Sequence, residues 1–69
     1  MTQKELSYLE DAIGHIENII KICNESINNL QDESLISFLN QEVENHTSLK
    51  EELMDKLEEK ANEWSTNNG

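Results

Sequence analysis

The sequence predicts an all-α protein: an antiparallel hairpin of two helices, at about 3–30 and 33–64, that pairs with a second copy into a four-helix bundle. Three observations predict this fold class. Proline is absent and the only glycines are Gly14 and Gly69, so almost nothing interrupts a helix. Two long apolar series have helical spacing. The polar connection between them is short, which makes the two helices antiparallel neighbours.

The first helix begins with the sequence Thr2-Gln3-Lys4-Glu5, a capping box in which Thr2 and Glu5 satisfy each other's backbone N–H groups. An apolar series with spacings of three and four residues follows, the pattern of a helix that packs lengthwise on a partner. We call this series and its counterpart on the second helix the seam. The first-helix members are Leu6, Leu9, Ile13, Ile16, Ile20, Cys23, Ile27 and Leu30.

A second stripe runs along the flank of this seam with the same spacing. Its members are Tyr8, Ala12, His15, Ile19 and Ile22. One partner helix cannot cover both rows, and a wide apolar face of this kind is typical of a helix in a bundle. We therefore expect a homodimer in which a second copy covers what the hairpin leaves open.

The connection and the second helix follow from polar residues at defined places. Asn28 and Asn29 tolerate the conformations that stop a helix, and Asp32 is a good N-cap for the next one. Lys50 and Lys60 occupy seam slots, where lysine stems can cover apolar surface. We expect both Leu35 and Ile36 in the apolar stripe of the second helix, with Leu35 beside Leu30. The remaining second-helix core is expected at Leu39, Val43, Leu53 and Leu57, with Phe38, Leu49 and Met54 broadening that helix's apolar face. Residues 65–69 are predicted to form a flexible polar tail.

Size and charge limit the function classes. The chain of 69 residues is a single domain, 1–69, and chains this short usually need oligomerisation or another support. Its net charge is −10, with no arginine, so neither nucleic acid nor an anionic membrane is an expected partner. The single cysteine excludes an internal disulfide, and no secretory signal or membrane-spanning run is present. We expect a cytoplasmic protein.

The stretch from Thr2 to His46 contains Thr-Gln-Lys-Glu-Leu, Tyr-Leu-Glu-Asp-Ala-Ile-Gly-His, Asn-Asn-Leu-Gln-Asp and Ser-Phe-Leu, followed by a histidine. It resembles small clostridial spore-coat-like proteins, which are similar to half of a ferritin-like bundle. The resemblance implies spore association, other coat proteins as partners, and metal-binding glutamates on both helices. In this chain Ile16 and Val43 stand where those glutamates are expected. Glu42 and His46 are the weak candidates that remain, so we predict no metal site and no cofactor.

The leading hypothesis is a non-catalytic structural or interaction protein that self-associates, because no nucleophile has a recognisable base and no glycine-rich loop exists. An acidic regulatory binder, which would occupy a basic surface on a partner protein, is the first alternative. Residues 1–30 hold five acids and two lysines, against ten acids and three lysines in 31–69. A ferritin-like metal-binding protein is the second alternative. His46 is expected to be a satisfied core histidine, and His15 an interface residue.

Overall fold

A computed structural model of the chain describes the backbone of residues 1–68 and the side chains of residues 1–63. Two helices, α1 (Gln3–Asn29) and α2 (Glu33–Asn68), pack against each other along their length. The predicted all-α hairpin is thereby confirmed. Helix α2 continues to Asn68, beyond the predicted end at 64, since the sequence from Glu33 to Asn68 contains neither proline nor glycine. The side-chain behaviour of the predicted tail at 65–69 lies outside the described residues.

The start of α1 is fixed by the capping box. The Glu5 amide donates to Thr2 Oγ1 at 3.1 Å, and the Thr2 amide donates to Glu5 Oε1 at 2.8 Å. The hydrogen bond from the Thr2 backbone lowers the pKa of the Glu5 carboxyl group, because it favours the charged form. The first turn of α1 therefore satisfies two backbone donors that would otherwise need water.

The asparagines near the end of α1 do not adopt the helix-stopping conformation that the sequence suggested. Asn29 stays helical, and its side-chain amide donates to the Glu25 carbonyl at 2.8 Å. Leu30 is the C-cap and adopts an extended conformation, with φ −101° and ψ 149°. No described residue, Gly14 included, has a positive φ. The helix is therefore terminated by the extended backbone at Leu30, which leads directly into the connection.

Asp32 organises the start of α2, as its position predicts. Its Oδ1 atom accepts from the Ser34 amide at 2.9 Å, the Leu35 amide at 3.1 Å and the Ser34 hydroxyl at 2.7 Å. The Ser34 hydroxyl contributes most to lowering the pKa of the Asp32 carboxyl group. One carboxylate oxygen therefore defines where the connection ends and the second helix begins.

The hairpin is long and thin, with extents of 54 × 16 × 12 Å. Its radius of gyration is 16.0 Å, whereas a compact chain of this length has about 11 Å. Among residues 1–63 only Ile16 and Cys23 are buried, at 6% and 9% exposure. The core is therefore a single line of side chains between two helices, and the Cys23 thiol is free and enclosed in it.

We expect Asp32→Ala to lower the thermal unfolding midpoint by about 5 °C at pH 7, because two backbone donors lose their acceptor. Asp32→Asn is the matched control, since asparagine is a comparable N-cap without the charge. The pKa of Asp32 in the folded chain is lowered from its ordinary value of 3.8. The charged carboxylate therefore stabilises the fold above pH 3.8, and this stabilisation is lost as the pH falls through the lowered pKa. The difference between wild type and Asp32→Asn should therefore shrink in acid. An Asp32→Ala midpoint equal to that of wild type at pH 7 would contradict the assignment.

Candidate interaction surface

The seam of α2 repeats the spacing found on α1. Its half-buried members are Ile36, Leu39, Val43, His46, Lys50, Leu53 and Leu57. All twelve residues predicted as core or interface, eight on α1 and four on α2, are buried or half-buried. Leu35, expected beside Leu30, is instead 49% exposed because Ile36 takes the seam position at the start of α2.

Lys50 shows how a lysine occupies a seam position. Its side chain is 31% exposed, and its ammonium nitrogen lies 3.0 Å from Glu17 Oε2 on the facing helix. The stem thus covers the apolar line while the charge reaches the edge of the helix pair. This ion pair marks the alignment of the hairpin, in which residue 17 of α1 lies near the level of residue 50 of α2.

His46 is satisfied within its own helix. Its Nδ1 donates to the Glu42 main-chain carbonyl at 2.7 Å, and the Glu42 carboxylate lies farther away at 3.6 Å. Within the described residues, no group of three histidine, cysteine or acidic side chains is arranged to hold a metal ion. Glu42 and His46 are therefore brought together as neighbours one turn apart, with no third ligand beside them. Ile16, at one of the two positions where the resemblance implies a glutamate, is the least exposed residue on α1.

The two broad sides of the hairpin differ in character. In an antiparallel pair, the flanks next to corresponding seam positions lie on the same side. One side has a shallow groove lined by Glu17, Lys21, Asn24 and Lys50. The other has a groove lined by Met1, Glu5, Tyr8, Leu9, Ala12 and Lys60. The first side is polar, and the second carries the stripe that the sequence predicts beside the seam.

We call this second side the apolar face. On α1 it consists of Met1 and the second stripe, and on α2 the same flank adds Leu35, Phe38 and Leu49 by heptad position. Seven of the eight exposed large apolar side chains among residues 1–63 lie here, including Tyr8 at 63%, Ile22 at 52% and Phe38 at 61%. The eighth, Met54, is 48% exposed on the polar side.

Sequence reasoning identified the α1 half of the apolar face and expected Phe38, Leu49 and Met54 to broaden the face of α2, but Met54 lies on the polar side and the joining of both helices into one surface was not predicted. Leu35, Phe38 and Leu49 have spacings of three and eleven, with two acidic or amide positions between them. Glu42 and Asn45 interrupt the row, so no continuous apolar series marks it. The signal was available only after the two helices were aligned on a common register.

No family model matches the chain, and no curated protein and no solved structure matches it either. Among the described residues, no helix is sufficiently long and apolar to cross a membrane.

We expect Ile16→Ala to reduce the free energy of unfolding by about 3 kcal/mol, because it leaves a cavity in the single line of core side chains. Met54→Ala is the matched control: it also truncates a large apolar side chain, but one that is 48% exposed on the polar side. It should cost less than about 1 kcal/mol. Chemical denaturation at one fixed protein concentration measures both, and equal losses would contradict this packing.

Proposed function

We propose that this protein is a non-catalytic structural or interaction protein whose hairpin self-associates as a homodimeric four-helix bundle. The apolar face is the observation that carries the proposal. Contiguous exposed apolar surface is unfavourable in water and marks interaction sites in proteins of this size. The opposite side, with acidic, amide and lysine side chains, has the composition of a surface that remains in water.

The surface area of the hairpin supports association. The chain exposes 5423 Å², whereas a compact monomer of 8.0 kDa exposes about 4,450 Å². The surplus is about 1,000 Å², and one partner contributes about 800 Å² to a standard protein interface. The hairpin therefore carries roughly the excess surface that one dimer contact removes.

The carboxyl groups with displaced pKa values support a structural role. The pKa values of Glu5 and Asp32 are lowered, and both shifts result from hydrogen bonds that cap helices. The partners of Glu5 and Asp32 in these hydrogen bonds, Thr2 for Glu5 and Ser34 with Leu35 for Asp32, all lie at the starts of the two helices. These perturbed carboxyl groups thus serve the fold, whereas perturbed groups in enzymes usually lie where a substrate binds.

Light scattering after size exclusion at micromolar concentration tests the dimer. We expect a mass of about 16 kDa, twice the 8.0 kDa of the chain. Ile22→Glu should shift the mass to that of a monomer, since it puts a charge into the centre of the apolar face. Met54→Glu makes the same type of change on the polar side and should leave the dimer intact. A wild-type mass of 8 kDa would refute the proposal.

The resemblance to clostridial spore-coat-like proteins remains a prediction. We use it only to propose where the dimer would act. In that setting the bundle would be a packing unit among coat proteins associated with the spore. A ferritin-like metal-binding protein also stays an alternative. Elemental analysis of protein purified without chelator addresses it, and stoichiometric iron, zinc or manganese would favour metal binding over a purely structural role.

The acidic surface of α2 favours a second candidate function, an acidic binder of a basic protein surface. A groove on α2 that Leu49 and Leu53 also line places Glu52, Asp55 and Glu59 together with one lysine, Lys56. Dense acidic charge of this kind attracts a basic partner at low ionic strength. Retention of basic proteins on the immobilised chain, lost as salt is raised, would support this candidate, and no retention at low salt would count against it.

A further inference from the structure

We propose that the second copy docks with α1 against its own α1, antiparallel, so that the two connections lie at opposite ends of the dimer. This inference rests on the proposed self-association and specifies its geometry. The contact is centred level with residue 17, with the two α1 helices closest to the symmetry axis and the two α2 helices farther from it.

The stripe on α1 is complementary to itself when reversed. Continued by one position to Ser26, its members are Tyr8, Ala12, His15, Ile19, Ile22 and Ser26. The spacings are 4, 3, 4, 3 and 4, which read the same in both directions about residue 17. An antiparallel pair of α1 helices therefore brings every member level with another member of the stripe.

Two of the three kinds of pair produced by this symmetry combine a large with a small side chain, and the third joins a histidine with an isoleucine. Tyr8 lies level with Ser26 of the second copy, and Ala12 lies level with Ile22 of the second copy. His15 lies level with Ile19. Interdigitation of large and small side chains is what lets helices approach closely and exclude water. No member of the stripe from Tyr8 to Ser26 is an acid or a lysine, so the central contact places no fixed charge between the helices, and Glu5, in the same row, lies at its end.

A parallel dimer, with both connections at the same end, would instead place α1 on α2 of the second copy. The Glu17–Lys50 ion pair aligns the helices, so the stripe would meet the α2 residues found at the same levels. These are Glu59, Lys56, Glu52, Leu49, Asn45 and Glu42. Only Ile19 would find an apolar counterpart, at Leu49. The other members would be buried against charged or amide groups, which is unfavourable unless each is paired.

The uneven distribution of net charge between the two helices also favours the antiparallel dimer. Helix α1 and its flanks, residues 1–30, hold five acids and two lysines, whereas residues 31–69 hold ten acids and three lysines. Placing α1 at the centre puts the less charged helices in contact and leaves the strongly acidic α2 helices facing water. At each end, Met1 falls level with Leu35 and near Phe38 of the second copy, so the outlying apolar residues also gain partners.

The distance between spin labels at position 31 of the two copies, measured by electron paramagnetic resonance, tests whether the dimer is antiparallel. Gln31→Cys is labelled in a Cys23→Ala background, or in Cys23→Ser if alanine reduces helical content. With the symmetry axis level with residue 17, the labels should be about 45–50 Å apart. A distance near 20 Å means a parallel dimer and overturns the proposal. A monomeric mass by light scattering refutes the proposed function as well, whereas a dimer with the short distance refutes only the orientation.

A disulfide tests whether α1 is the contacting helix. In the same background, Ala12→Cys combined with Ile22→Cys should form a covalent dimer on mild oxidation, because Cys–Cys pairs form only between side chains in direct contact. Ten residues separate the two positions within one helix, about 15 Å, so they cannot pair inside a chain. Each single substitution is the control and should remain without cross-links. A double variant that cross-links no more than the single variants overturns the α1 contact.

Discussion

The structure depends on one geometric constraint: two helices share a single line of contact. A side chain on that line is covered by one neighbour, so burial stays incomplete even at ideal heptad spacing. Ile16 and Cys23 alone fall below one-tenth exposure among residues 1–63. Small chains reach stability by adding disulfides, metals or another chain. This chain has a single cysteine, so an internal disulfide cannot supply this support, whereas hydrogen-bonded caps are present at the starts of both helices.

Local polar interactions fix the starts of the two helices, which packing along the seam does not determine. Thr2 with Glu5, and Asp32 with Ser34, fix the first turns of both helices, and Leu30 ends α1 by becoming extended. These contacts set the length of the connection, and that length sets the alignment of the helices. The Glu17–Lys50 ion pair marks the resulting register. The apolar face exists only in this register, because it joins residues of α1 with residues of α2.

The sequence was sufficient for the parts of the molecule that have local causes. The capping box, the Asp32 cap and the strict seam of α1 each involve residues close in the chain, so spacing and residue type predict them. Leu35 and Ile36 are different, since both are apolar and adjacent, and only contact with α1 decides that Ile36 faces inward. The α2 part of the apolar face had the same difficulty. Glu42 and Asn45 break the row, and its continuity lies across two helices instead of along one.

Ile16 connects the packing of the hairpin with the resemblance stated from the sequence. A bundle that binds metal through glutamates places charged groups between its helices, which is unfavourable without the ion. At 6% exposure, a carboxylate at position 16 would have little water and no metal-binding group of three beside it among the described residues. Isoleucine there contributes burial to the line of contact instead. The hairpin therefore depends on apolar contacts along its line of contact, and most of its exposed large apolar side chains among residues 1–63 lie on the apolar face.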